Sequence, residues 1–213
     1  MENAKKGFLP MTHGTSLSKK QCPSTPDELE KMSTVPYVSA IGSIMYAMIC
    51  TRPVVLCALS MTSRFQSCPG ADHWTAVKNI LKYLNRTKEK FLVFGGMPEL
   101  CVKGYTDASF QTDKDDFRSQ SGFVFTLNGG AVSWKSSKQS TVADSTTEAE
   151  YIAAAEAAKE AVWIENFSSE LDVVPSVTSP IELFCDNSGA IVQVKEPRSH
   201  QKSKHVLRKF HLL

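Results

Sequence analysis

The spacing of apolar residues first changes period near residue 90, and this change limits the fold more than any other feature. Before it, apolar side chains recur every three or four positions: Val38, Ile41, Met45 and Met48 within residues 37–50, then Trp74, Val77, Ile80, Leu81 and Leu84. That is the spacing of helices with one buried stripe. Pro53 separates the first helix from a second apolar one over residues 54–65, and Pro69-Gly70 ends that one. Asp72 is a candidate N-cap for the third. Ahead of them, residues 1–26 read as extended, and residues 24–28 carry a helix-start signal.

Beyond residue 90 the runs are short. Residues 91–94, 100–106, 122–127 and 131–135 read as strands, with Asn128-Gly129-Gly130 as a tight turn between the last two. A helix over 146–159 follows, capped at Ser145 with Glu148 three residues on. Then come a second helix over 161–171, a strand over 181–185 and a helix from 188 to 194. The order predicts an α/β domain after a small helical subdomain. Its mixed sheet has an antiparallel three-strand meander, one parallel strand and flanking helices. The boundary falls near Met97, dividing the chain into residues 1–97 and 98–213.

Charge divides along a similar line. Residues 1–98 hold twelve Lys/Arg against six Asp/Glu, and residues 99–213 hold twelve against sixteen. A basic part beside an acidic part suits a nucleic-acid grip next to a carboxylate cluster, and equally suits ordinary surface charge. Lys78, Lys82 and Arg86 form a stripe at i, i+4, i+8 that fits a phosphate backbone or water, and Lys202 and Lys204 belong to a basic run over 195–209. No apolar run approaches the roughly 18 residues of a membrane span, and residues 1–10 do not read as a secretory signal. The six cysteines form no C-x-x-C pair, which argues against structural zinc. Reduced thiols in an intracellular protein, of cytoplasm or nucleus, are the expectation.

Three acids stand where a metal centre would want them. Asp107 and Asp186 each end a predicted strand, and Glu150 lies in the first turns of the long helix. Acids at strand ends project toward the crevice where ligands collect in sheet proteins. Three carboxylates can hold two hard cations, Mg²⁺ or Mn²⁺, one activating water and the other stabilising a leaving oxygen. Singly each acid is ordinary: Asp after a strand is a common turn former, and Glu in a first turn answers the helix dipole. The order strand-Asp, hairpin, helix-Glu, strand-Asp is the specific signal.

Four stretches carry a resemblance: Tyr105-Thr106-Asp107-Ala108-Ser109, Ser133-Trp134-Lys135-Ser136-Ser137-Lys138-Gln139, Ser145-Thr146-Thr147-Glu148-Ala149-Glu150-Tyr151 and Cys185-Asp186-Asn187. Together they resemble the ribonuclease H domain of copia-type retrotransposon polyproteins, across nearly all of residues 99–213. In the first part, the stretches over residues 40–47, 51–53 and 73–84 resemble the region after the reverse transcriptase palm. The resemblance implies a ribonuclease H-like fold behind a thumb-like helical region that supports a template-primer duplex. It implies hydrolysis of the RNA strand of RNA–DNA hybrids, leaving a 3′-hydroxyl and a 5′-phosphate. The metal ligands it implies are Asp107, Glu150 and Asp186, with two Mg²⁺ or Mn²⁺ ions as the expected cofactors. It favours Glu150 over Glu148, since the apolar and small residues that follow the catalytic Glu are here Tyr151, Ile152, Ala153 and Ala154. The palm and its tyrosine-x-aspartate-aspartate motif are absent from this stretch, so no polymerase activity is expected, though the rest of a reverse transcriptase is a candidate partner.

The pattern also breaks. The resemblance expects a fourth acid two residues after the His of a Lys-His-Ile-acid motif, and the chain reads Lys204-His205-Val206-Leu207. A Leu cannot ligate a hard cation, so weakened hydrolysis is the expectation, with a non-catalytic nucleic-acid-binding remnant as the alternative. Val54 stands where Asp is usual after Arg-Pro, and the chain stops in what should be a final helix. Ser109 and Asn187 are accessory candidates; His205 and His211 are either proton-transfer groups or surface histidines. A partner-binding protein with no nucleic-acid role is a third class, with Val54 and Met45 to Met61 as its interface, although such residues are more often core.

Overall fold

The computed structural model describes residues 7–95, 101–171 and 180–195. The chain divides into two units: residues 1–92 with the short segment 113–116, and residues 93–112 with 117–213.

The first unit is helical. α1 (Pro26–Ser33) begins with a reciprocal cap: Thr25 Oγ1 accepts from Glu28 N–H, and the Glu28 carboxylate accepts from Thr25 N–H. α2 (Tyr37–Thr51) supplies Tyr37, Ile41 and Ile44 to the core. The apolar helix expected over residues 54–65 is α3 (Leu56–Thr62) between two tight turns, Pro53–Val55 and Ser63–Phe65. α4 (Ala71–Arg86) adds Val77 and Ile80, with Trp74, Leu81 and Leu84 packed at the margin. Arg52 donates to the carbonyls of Thr87 and Lys90 just past the end of α4, at 3.2 and 2.5 Å. Arg52, beside Pro53, thereby ties that turn to the segment after α4.

One expected cap is corrected. Gly70, in extended conformation, is the N-cap of α4, and the His73 ring accepts its N–H at 2.9 Å. Asp72 is already helical and cannot cap; its carboxylate lies in the first turn and accepts from Gln21 Nε2.

The second unit is α/β, its four strands ordered β3-β2-β1-β4. β1 (Val102–Ser109) pairs antiparallel with β2 (Gln120–Leu127), and β2 antiparallel with β3 (Gly130–Lys138). β4 (Glu182–Phe184) joins β1 in parallel. Asn128 and Gly129 turn the β2–β3 hairpin at φ 48° and 81°. Two consecutive positive φ values are what a two-residue hairpin needs, and Asn-Gly tolerates both. A register shift at Phe125/Thr126 follows from one extra residue on β3. The sheet is compatible with a ribonuclease H-like fold.

α5 (Thr146–Leu171) packs on β1 and β2 through a small-residue face that includes Ala149, Ala153, Ala154 and Ala157. Phe123, Phe125, Val102 and Ile164 fill the space between helix and sheet. α6 (Ser188–Lys195) lies against α5.

Two further expectations are corrected. The helices expected over 146–159 and 161–171 are one, because Lys159-Glu160-Ala161 contains no breaker and Ile164 continues the buried face. Residues 91–94 form no strand: Phe91, Val93 and Phe94 are all exposed, so no half-buried face drives pairing.

Candidate functional site

β1 alternates Val102, Gly104 and Thr106 toward the core with Tyr105 and Asp107 outward. Asp107 lies within β1, two residues before its end rather than at it, opposite Gly122. β4 runs beside β1 in the register Gly104↔Leu183, Tyr105↔Phe184. β4 lies close beside β1 and ends at Phe184, so Asp186 follows two residues after the strand that neighbours the strand of Asp107. Gly104 makes the approach feasible: a Cβ there would stand 2.5 Å from Phe125 Cε1 and 2.9 Å from Leu183 Cδ1. The Tyr105 and Phe184 rings stack at 5.3 Å between centroids, next to the acids.

The helix brings the third acid. Ser145 Oγ accepts from Glu148 N–H at 3.1 Å, and the Glu148 carboxylate turns back to Asp144 N–H at 2.8 Å. Glu148 is therefore engaged at the helix start, while Glu150 points inward and is only 6% exposed. Glu150 Oε1 accepts from Ala108 N–H, 3.1 Å away, the residue after Asp107. Oε2 stands 3.9 Å from Cys185 Sγ. The chain bends at Asp186, and Asn187 Oδ1 accepts from Ala190 N–H at 2.9 Å, starting α6. Ligand atoms of Glu150, Cys185 and Asp186 all lie within 4.8 Å of one another.

The electrostatics are one-sided. Burial raises the Glu150 carboxyl above its ordinary range; the Ala108 N–H opposes this, and the charges of Asp107 and Asp186 raise it further. No base forms an ion pair with Glu150 among the described residues. Burial also pushes the Cys185 thiol up, Asn187 N–H opposes, and the three carboxylates add to the rise. A buried carboxylate facing two others without a base is a place for a cation.

Comparison with known proteins places the chain. It is 46% identical, over 211 residues, to the "Retrovirus-related Pol polyprotein from transposon TNT 1-94" of Nicotiana tabacum, an overlap of 99% of the chain. It is 32% identical over 213 residues to the "Retrovirus-related Pol polyprotein from transposon RE2" of Arabidopsis thaliana. The chain belongs to the Pol polyproteins of copia-type retrotransposons. It spans 16% and 14% of the length of these two Pol polyproteins. A shorter relative, "Secreted RxLR effector protein 161" of Plasmopara viticola, is 48% identical over 133 residues, covering 62% of this Pol segment and 94% of that protein. No family model matches.

The remaining candidates of this Pol segment are scattered. Ser109 ends β1 and is exposed, while Asn187 is engaged as the α6 cap. On α4, Lys78 is exposed, Lys82 is half-buried, and the exposed Arg86 holds its guanidinium 3.8 Å over the Phe8 ring. Met45 and Val54 are exposed, and Met48 packs against the core. Lys202, Lys204, His205, Leu207 and His211 lie outside the described residues. Cys185 is the residue that sequence reasoning missed. It was grouped with the scattered cysteines, all six of which are free thiols. Its adjacency to Asp186 was the available signal.

Proposed function

We propose that this Pol segment is a ribonuclease H-type nuclease acting on the RNA strand of RNA–DNA hybrids, with Asp107, Glu150 and Asp186 as its metal-holding residues. The observation that carries the reading is Glu150, buried, without a base, and facing two exposed carboxylates. All three residues offer only hard oxygen donors, which suits Mg²⁺ or Mn²⁺. Bound there, such cations supply an activated water and neutralise charge on the scissile phosphate. The chain's own part is positional. The two aspartates come from β1 and from the segment just after its parallel neighbour β4, and the Ala108 N–H holds the Glu150 carboxylate beside β1. The helical first unit suits a thumb-like role, with Lys78 and Lys82 against a phosphate backbone. The stacked Tyr105–Phe184 pair beside the acids offers an apolar platform next to the reacting strand.

The test is cleavage of a labelled RNA–DNA hybrid with Mg²⁺ or Mn²⁺. Wild type should cut the RNA strand, and Asp107→Asn or Asp186→Asn should lower the rate by about a hundredfold or more, the order expected when electrostatic stabilisation is lost. Cleavage that survives both substitutions refutes the assignment. Hybrid binding that weakens steeply with salt, without cleavage in any metal, moves the reading to a non-catalytic binder.

A further inference from the structure

We propose that Glu150, Cys185 and Asp186 form a three-ligand site for a thiophilic divalent cation, Zn²⁺ or Cd²⁺, within the carboxylate centre. Two observations support it. The first is the donor set: one thiol and two carboxylates with ligand atoms within 4.8 Å of one another. Around tetrahedral Zn²⁺, with bonds of about 2.0–2.3 Å, ligand atoms stand roughly 3.3–3.8 Å apart. Glu150 Oε2 and Cys185 Sγ are already 3.9 Å apart, so small side-chain rotations close the set. The second is the buried Glu150 carboxylate, which has no cationic partner among the described residues. Buried carboxylates of that kind are neutralised by a proton or by a metal.

The backbone holds the donors from two directions. Glu150 comes from α5, and consecutive Cys185 and Asp186 reach the same point because the chain bends there before the α6 cap. Three protein ligands leave a fourth position for water or for Asp107, the arrangement of zinc sites that keep an open position. Mg²⁺ takes oxygen ligands and ignores the thiol; Zn²⁺ and Cd²⁺ gain a thiolate bond when the thiol releases its proton to solvent. The thiophilic cation therefore occupies the place of a hard one and withdraws Glu150 and Asp186 from it. Binding stands on the donor geometry alone, and its consequence, inhibition of hybrid cleavage, rests on the nuclease reading.

The experiment titrates metal-free protein with Cd²⁺ and follows the ultraviolet thiolate-to-cadmium charge-transfer band. Wild type should saturate near one equivalent. Cys185→Ser and Glu150→Gln should each weaken binding by more than about tenfold, since ligand loss costs at least as much as loss of a supporting group. Cys101→Ser, altering an exposed thiol of the same unit, should titrate as wild type. Alkylation of folded wild type, read by mass spectrometry, needs no variant: Cd²⁺ or Zn²⁺ should protect Cys185. Hybrid cleavage in Mg²⁺ is followed alongside, with Zn²⁺ inhibition expressed relative to each variant's own rate. A band of unchanged strength in Cys185→Ser, or equal alkylation of Cys185 with and without cation, overturns the site. Binding without any cleavage keeps the site and overturns the inhibition. Cleavage without cadmium binding keeps the nuclease and overturns this inference.

Discussion

Glu150→Gln is the sharpest perturbation of the centre, because it removes one charge and almost no volume. The amide oxygen can still accept from Ala108 N–H, so the 3.1 Å hydrogen bond survives. What disappears is first the cost of burying a charge, then its repulsion from Asp107 and Asp186. Glu150 and Asp186 offer carboxylate oxygens within 4.8 Å of each other; at that limit two like charges cost about 1 kcal/mol at the dielectric of water and about 3 kcal/mol at an effective dielectric of ~20. Asp186 is exposed, which places the relief in the lower part of that range, about 1–2 kcal/mol. The sign with pH follows from linkage. Glu150 is raised above its ordinary value of 4.5, so the folded state keeps its proton longer than the unfolded chain. Wild-type stability therefore falls as pH rises from the ordinary value through the raised one. The variant lacks this loss, so in chelator it should be more stable than wild type at neutral pH. Below the ordinary glutamate value, where both side chains are neutral, the two should be equal. Mg²⁺ should reverse the order at neutral pH, since only the wild type keeps the full ligand set. Hydrogen exchange of α5 amides, resolved by mass spectrometry, reads the second unit separately from the first. A variant less stable than wild type at neutral pH in chelator, or a difference independent of pH, would refute the reasoning.

Two smaller perturbations test how the centre is held. Gly104→Ala drives a methyl group into the Phe125 ring and Leu183; a loss of about 1–3 kcal/mol in urea unfolding is expected, and no loss would mean that β4 is not held closely on β1. Ser145→Ala removes the acceptor for Glu148 N–H; it should cost about 1 kcal/mol, with faster amide exchange confined to the first turn of α5.

Features set by local chemistry were legible in the sequence. The Asn128-Gly129 turn, the Ser145–Glu148 helix start and the apolar stripe of α4 depend on residues within a few positions of one another, and they stand as read. The meander and its parallel neighbour followed from element order. Features that depend on competition between neighbours were not legible. Gly70 replaced Asp72 as the α4 cap because a histidine three residues on supplied the acceptor. Residues 91–94 have strand-forming composition, yet their apolar side chains are exposed and no strand is formed. The clustering of residues 113–116 with the helical unit has no local signal, since Asp113 finds Arg64 at 2.7 Å across 49 positions of sequence.

Cys185 shows why a site can be read in outline and still be chemically incomplete. The three acids were recognisable from their order along the chain, strand-Asp, hairpin, helix-Glu, strand-Asp, although Asp107 lies within β1 rather than at its end. A cysteine one position before an aspartate, by contrast, would point to the opposite face if the strand ran on. Only the bend at Asp186, followed at once by the Asn187 cap, brings both side chains to Glu150. The consequence reaches beyond geometry. Burial and two neighbouring charges make ionised Glu150 costly, so the centre rewards any cation that can enter it. Carboxylates alone would leave that choice to hard ions, whereas a thiol 3.9 Å away gives softer ions a bond that Mg²⁺ does not make. On the proposed reading, cation selectivity in this Pol segment is set by the residue beside the acids as well as by the acids themselves.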